Sequence, residues 1–277
     1  MSLHVPAAMD FGSNPDGAGT AAGGECVHAG NLHAAWSTRI ENARKAGHPE
    51  DILVLADEAP SATLRAAAHA LAEEALQRRQ QSTPPGKVFL FAGHMIDAPD
   101  RPEPRFPADK ESIAAARIGA TLDALGAGPD ALAIAQGAAG GDILFGEACL
   151  ARGVRFQMLL PLSEPAFIAA SVLPCSDGES WRQRYLALRA RLTLPPRILP
   201  DELGPPVCEG YGHLTDPFER CNRWLLYSAL AQGRERVRFI CLWNGGGGDG
   251  ASGTAHMVEE VRRRNCQVTW LDTRELW

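Results

Sequence analysis

Val88-Phe89-Leu90-Phe91-Ala92, closed by Gly93-His94, is a short, unbroken apolar run that ends in a glycine. A run of this kind reads as a strand covered on both faces, as in a parallel sheet. A proline-laden loop from Ala98 to Pro107 follows, then a helical pattern from Lys110 to Leu125 that stops at Gly126 and Gly128-Pro129. Ala131 to Ala135 is a second strand, Asp142 to Arg152 a helix with Gly153 just past its end, and Val154 to Leu160 a third strand. Strand, helix, strand, helix, strand demands right-handed crossovers and parallel pairing.

The same rhythm returns further on. Glu164 to Leu173 and Ser180 to Leu192 read as helices, Thr193 to His213 as mostly irregular, and Pro217 to Gln232 as an amphipathic helix capped by Asp216. Val237 to Trp243 is a fourth strand, Ser252 to Asn265 a helix and Gln267 to Leu271 a fifth strand. The predicted fold class is α/β: a doubly wound, mainly parallel Rossmann-like sheet with helices on both faces, preceded by a small helical N-terminal segment. Residues 1–30 are rich in small and polar types and are expected to form a flexible tail; residues 31–81 carry two or three short helices, the last capped by Ser61. Ser82-Thr83-Pro84-Pro85-Gly86 breaks the pattern, and the Rossmann-like domain runs from 86 to 277.

A formal net charge of -6 on 277 residues argues against broad electrostatic attraction to nucleic acid and favours a small ligand. The 7 cysteines are scattered without a C-x-x-C pair, and Cys149, Cys221, Cys241 and Cys266 fall in apolar or helical patterns, as reduced thiols of a cytoplasmic protein would. No apolar stretch approaches the roughly 20 residues of a membrane span, and no signal pattern opens the chain. The 8 histidines lack metal spacing, so neither metal nor cofactor is expected. Met1-Ser2-Leu3 and the half-helical beginning are compatible with a piece of a longer polypeptide.

Two glycine-rich turns carry the functional signal: Gln136-Gly137-Ala138-Ala139-Gly140-Gly141-Asp142, and Asn244 through Gly250-Ala251-Ser252-Gly253-Thr254. Each follows an apolar run and opens a helical pattern, presenting backbone N–H groups and a helix dipole to an anion. With Gly93-His94 they form three turns at carboxyl edges of a parallel sheet, where such sheets bind ligands. Neither glycine stretch matches G-x-G-x-x-G or contains G-K-[ST], which disfavours a Rossmann dehydrogenase and a Walker-type NTPase.

On these motifs, Lys87 to the C-terminus resembles the SLOG superfamily, the Rossmann-like group containing LOG phosphoribohydrolases, molybdenum-cofactor carrier-like proteins and the DNA-processing protein A family. Gln136 to Leu144 is similar to that group's strand, turn and helix, and Asp249 to Thr254 to its second phosphate turn. Phe91 to Asp97, Arg105-Phe106-Pro107 and Trp243-Asn244 resemble a SLOG-type domain found behind tetratricopeptide-like regions in bacterial signalling proteins. The resemblance implies a nucleotide-like ligand and a homodimer. It departs at one point: LOG enzymes place a glutamate three residues after the threonine, where this chain has Met257, with Glu259 and Glu260 further along the helix.

The expected ligand-binding set is Gly93, His94, Arg105, Gly137, Ala138, Gly140, Gly141, Asp142, Asn244, Gly250, Ser252, Gly253 and Thr254. Within it, the backbone of Gly137 to Gly141 is assigned to phosphate, Asp142 to a hydroxyl or to N-capping, and Arg105 to bidentate phosphate contact. Arg101 is expected to be solvated, and Arg220, Asn222 and Arg223 to pair at the surface, with one of the three reaching the pocket as the alternative. A bulky residue at Gly140 should abolish binding without unfolding the chain. The function expected is sensing of a nucleotide or nucleotide-derived phosphorylated ligand, with the N-terminal helices as an interaction or coupling module. The alternatives are a phosphoribohydrolase of LOG type, which needs a carboxylate at the sugar and a proton for the leaving base, and a scaffold with a decayed pocket.

Overall fold

The computed structural model describes residues 21–80, 84–205, 216–246 and 253–277, with backbone alone for 21–32 and for 80. Six strands form one sheet: β1 (Val88–Gly93), β2 (Leu132–Ala135), β3 (Arg155–Leu160), β4 (Arg197–Ile198), β5 (Val237–Trp243) and β6 (Gln267–Asp272). Their spatial order is β4-β3-β2-β1-β5-β6, and every pair is parallel. The chain therefore builds outward from β1 on one side, then crosses back and lays β5 against its other side. Two-residue β4 lies in the proline-rich stretch expected to be irregular; it pairs only with the end of β3, and its shortness hides it from any periodicity.

Strand β1 shows why the sheet needs helices on both faces. Val88 and Leu90 enter one core while Phe89 and Phe91 enter the other, the period of two that a pleated strand imposes. Beneath Phe89 and Phe91 lie α4 (Glu111–Ala124), α5 (Gly141–Ala151), α6 (Glu164–Ser171) and α7 (Gly178–Ala190). Phe91 stacks on Phe145 of α5, ring centroids 4.6 Å apart. Over the opposite face lie α8 (Leu199–Leu203), α9 (Pro217–Leu230) and α10 (Thr254–Arg263). A four-residue helix, α11 (Thr273–Leu276), follows β6. Cys149, Cys175, Cys221 and Cys241 are buried free thiols and Cys266 is half-buried; burial pushes the Cys241 thiol up to about 12.

The N-terminal helices are α1 (Ala21–Ala46), α2 (Pro49–Asp57) and α3 (Ala62–Gln80). Helix α1 starts at Ala21, earlier than the Asn31 expected; the tail reading for residues 1–20 lies outside the described residues. The Ser61 hydroxyl accepts the Leu64 N–H at 3.3 Å, and the Asp216 carboxylate accepts that of Phe218 at 2.9 Å, so both expected caps form. These helices share one core with the sheet. Ile52, Val54 and Leu55 of α2 are wholly buried where that helix packs on α1, α3 and α9.

Charge as well as apolar area fastens α2. Arg220 on α9, 1 % exposed, holds Glu58 through two contacts of 2.5 and 2.9 Å and donates to the Gly204 carbonyl at 2.6 Å. The surface pairing expected of Arg220 is corrected: the pair lies buried between helices. Arg197 from β4 reaches Glu50 at 2.9 Å and Asp51 at 2.7 Å, and the Trp224 indole donates to Asp51 at 2.7 Å. Burial alone would raise the Glu50 carboxyl, but the His48 ring 3.3 Å away and the Arg79 and Arg197 guanidiniums hold it down at about 2. Among the described residues, no helix is long and apolar enough to cross a membrane.

A buried ion pair is costly to break because the remaining charge has no water. Arg220→Ala is expected to lower the unfolding free energy by about 3–5 kcal/mol, read as a lower urea midpoint at unchanged slope. The double replacement Arg220→Met, Glu58→Leu should retain more of that stability than Arg220→Ala, because neither charge is then left unpaired.

Candidate functional site

Strand order reverses between β1 and β5, so the connections leaving their carboxyl ends diverge and open a crevice. His94 stands at that point. Its N–H extends the ladder to the Leu242 carbonyl at 2.9 Å, and its Nε2 accepts the Asn244 N–H at 3.1 Å. The second bond ties the ends of the two central strands together and leaves the ring proton on Nδ1. His94 is 7 % exposed; burial first, and then the Arg105 charge, lower its pKa from 6.5 to about 4, so the ring is neutral at pH 7.

The cavity here measures about 370 Å³. Gly93 and His94 come to it from β1, Gln136, Ala138 and Asp142 from the turn after β2, and Trp243 from β5. Phe218, Asn222 and Leu225 enter at i, i+4, i+7 from α9. Gly253 and Thr254 start α10, whose N-cap Gly253 has no side chain to satisfy the first-turn amides. Arg101 and Arg105 reach it from the loop after β1.

The first glycine turn departs from expectation. The Gly137 and Ala138 N–H groups donate to Asp142 Oδ2 at 3.0 and 3.3 Å, that of Ala139 to the Ser171 carbonyl at 2.9 Å, and that of Gly141 to the His94 carbonyl at 3.1 Å. These amides are consumed inside the protein, so the bare phosphate cradle expected at 137–141 is corrected: the chain's own carboxylate fills it. Burial raises the Asp142 pKa from 3.8 to about 6, against the pull of the amides it accepts.

Gly140 has a related structural duty. It makes an antiparallel bridge with Met95 at φ 99°, and a Cβ there would lie 2.6 Å from the Ile96 backbone nitrogen. The expectation that a bulky residue at Gly140 spares the fold is therefore corrected as well, since backbone can give way only by moving the loop after β1.

Of the expected residues, Gly93, His94, Arg105, Ala138, Asp142, Gly253 and Thr254 come together around the cavity. Gly137, Gly140, Gly141 and Asn244 brace its walls through the bonds described and are not among its lining residues. Gly250 and Ser252 lie outside the described residues. Arg101, expected in solvent, lines the cavity and sits 3.5 Å from Asp97. Asn222, expected at the surface, is 8 % exposed and accepts the Gln136 amide at 3.0 Å. Asn222 was legible as a polar residue on an otherwise apolar stripe with Phe218 and Leu225; nothing local marks Arg101. Glu259 and Glu260 do not reach the cavity and pair with Arg263 and Arg264 along α10. Among the described residues, no cluster of three His, Cys, Asp or Glu could hold a metal ion. No protein-family model matches the chain, and no curated protein is significantly similar to it.

Two titrations here have opposite signs. His94 binds its proton less readily folded than unfolded, so its contribution is lost as pH falls from 6.5 toward 4. Asp142 binds its proton more readily folded, so its contribution is lost as pH rises from 3.8 through 6. Asp142→Asn keeps an oxygen for both amides and removes the charge. Relative to the parent, its stability should rise by about 2 kcal/mol between pH 4 and 7, measured by urea unfolding at each pH; a difference flat with pH would refute the buried charge. Gly140→Ala should destabilise by about 1–3 kcal/mol or more, and an unchanged urea midpoint would contradict the tight bridge to Met95.

Proposed function

We propose that the chain binds a nucleotide or nucleotide-derived phosphorylated ligand in this cleft and acts as a sensor, in line with its resemblance to SLOG-type signalling domains and with a cytoplasmic setting. The observation that carries the reading is that Arg101 and Arg105 face the same cavity as the N-terminus of α10. Two guanidiniums and a helix dipole converging on one crevice favour an anion, in a chain whose net charge is otherwise negative. With the amides of Gly137, Ala138, Ala139 and Gly141 occupied, the phosphate falls to the arginines and to the first turn of α10. Trp243 and Phe218 offer faces for a base, and Asn222, Gln136 and Asp142 offer partners for hydroxyls or base edges.

Sensing is favoured over cleavage by the state of the carboxylates. Asp142 is the one carboxylate among the described lining residues, and it is committed to two backbone amides. Helix α9 gives the sensing reading a physical route: Phe218, Asn222 and Leu225 touch the cavity, while Arg220 and Trp224 of the same helix grip α2. One observation supports the hydrolase as a second reading, namely a buried acid at the cavity wall with a pKa of about 6, suited to proton transfer near neutrality.

Calorimetric titration with nucleoside mono-, di- and cyclic phosphates is expected to find at least one that binds, and Arg105→Ala should weaken it about tenfold or more, the loss of one charge-assisted contact. A panel in which nothing binds points to a scaffold. Chromatography of the same mixtures separates sensor from hydrolase, since only the hydrolase releases free base.

A further inference from the structure

The loop from Met95 to Lys110 is fastened more heavily than a surface connection requires. Asp97, 8 % exposed, is its knot. Its Oδ2 accepts the backbone N–H groups of Arg105 and Phe106, each at 2.8 Å, and its own N–H donates to the Phe106 carbonyl at 2.9 Å. The Asp97 carbonyl takes the N–H and the hydroxyl of Ser176 at 3.0 and 3.1 Å, which ties the loop to the segment after α6. Phe106 is thereby turned inward, wholly buried, and its ring stacks on Trp277 with centroids 5.3 Å apart and planes 19° from parallel. Trp277 can arrive there because β6 runs parallel to β1 and ends at the same edge, where α11 carries the chain on to the loop.

Both arginines of the cleft belong to this loop, and Arg105 is next to the residue that Trp277 covers. An arginine on a loosely held loop must be ordered when its ligand arrives, and that entropy is lost from affinity. We propose that Asp97 and Trp277 are positioning residues of the anion site: Asp97 folds the loop so that Arg101 and Arg105 face the cavity, and the Trp277 indole holds that fold through Phe106. The inference rests on the cleft being an anion site. It assigns a functional task to Trp277, which is far in chain order from the loop it holds. Simple core packing by Trp277 would lower global stability and leave the affinity of the folded protein unchanged; positioning moves affinity and local amide protection together.

The test uses the full chain and AMP, with inorganic pyrophosphate as a second probe. Trp277→Ala should keep its far-ultraviolet circular dichroism, bind AMP about tenfold more weakly, and exchange the Arg105 and Phe106 amide hydrogens at least about tenfold faster, as misplacement of binding groups predicts. Trp277→Phe, which keeps a ring on Phe106, should restore both. Asp97→Ala, the second variant should Trp277→Ala fail to fold, should act in the same direction. Binding by the parent chain with no loss in the folded variants overturns the inference alone. A parent chain that takes up neither AMP nor pyrophosphate nor any other nucleotide of the panel overturns the anion-site reading and the inference together.

Discussion

Everything at the carboxyl edge depends on one constraint: β1 and β5 are neighbours, yet the chain leaves them toward opposite ends of the sheet. The diverging connections open a crevice at that point, and the strand-end backbone groups beside it need partners from outside the ladder. The protein meets the constraint with side chains. His94 caps the end of β5 by accepting the Asn244 N–H, and it does so as a neutral ring because burial and Arg105 disfavour the imidazolium. What remains open between the two connections is the cavity.

The same accounting explains the conduct of the first glycine turn. A loop of small residues with several amides pointing one way suits an anion, and an anion is indeed there: the carboxylate of Asp142, the second residue of the helix that the loop begins. Its raised pKa records the cost of enclosing that charge. A nest of amides with a resident carboxylate is a structural device, and the basic groups that line the cavity are instead two arginines on the loop after β1, beside the N-terminus of α10.

Helix α9 joins the two halves of the molecule. One of its faces looks into the cavity through Phe218 and Asn222, while Arg220 and Trp224 enter the buried ionic network that secures α2. Buried ion pairs contribute less net stability than well-packed apolar side chains would, but they demand one geometry, because a small shift leaves a charge without a partner. The N-terminal helices are thus held in register with the wall of the cavity by interactions that tolerate little sliding.

Much of the fold was legible because its signals are local. Apolar runs such as Val88 to Ala92 and Val237 to Trp243, each stopped by glycine or asparagine, announce buried parallel strands wherever they are placed, and Ser61 and Asp216 cap helices through bonds that span two or three residues. The doubly wound class and the three converging turns followed from that alone. The site is legible in part: the turns can be read from the sequence, but the amides of Gly137, Ala138, Ala139 and Gly141 serve Asp142, Ser171 and His94 within the fold, which no local pattern announces. Only the tertiary structure decided that β4 joins the sheet, that Arg101 and Asn222 face the cavity, that Glu259 and Glu260 do not, and that Trp277 lies on Phe106. The physical reason is common to all of these. Periodicity and capping depend on neighbours in the chain, whereas the partner of a polar or aromatic side chain is chosen by whichever distant segment the fold brings within 3 to 5 Å of it.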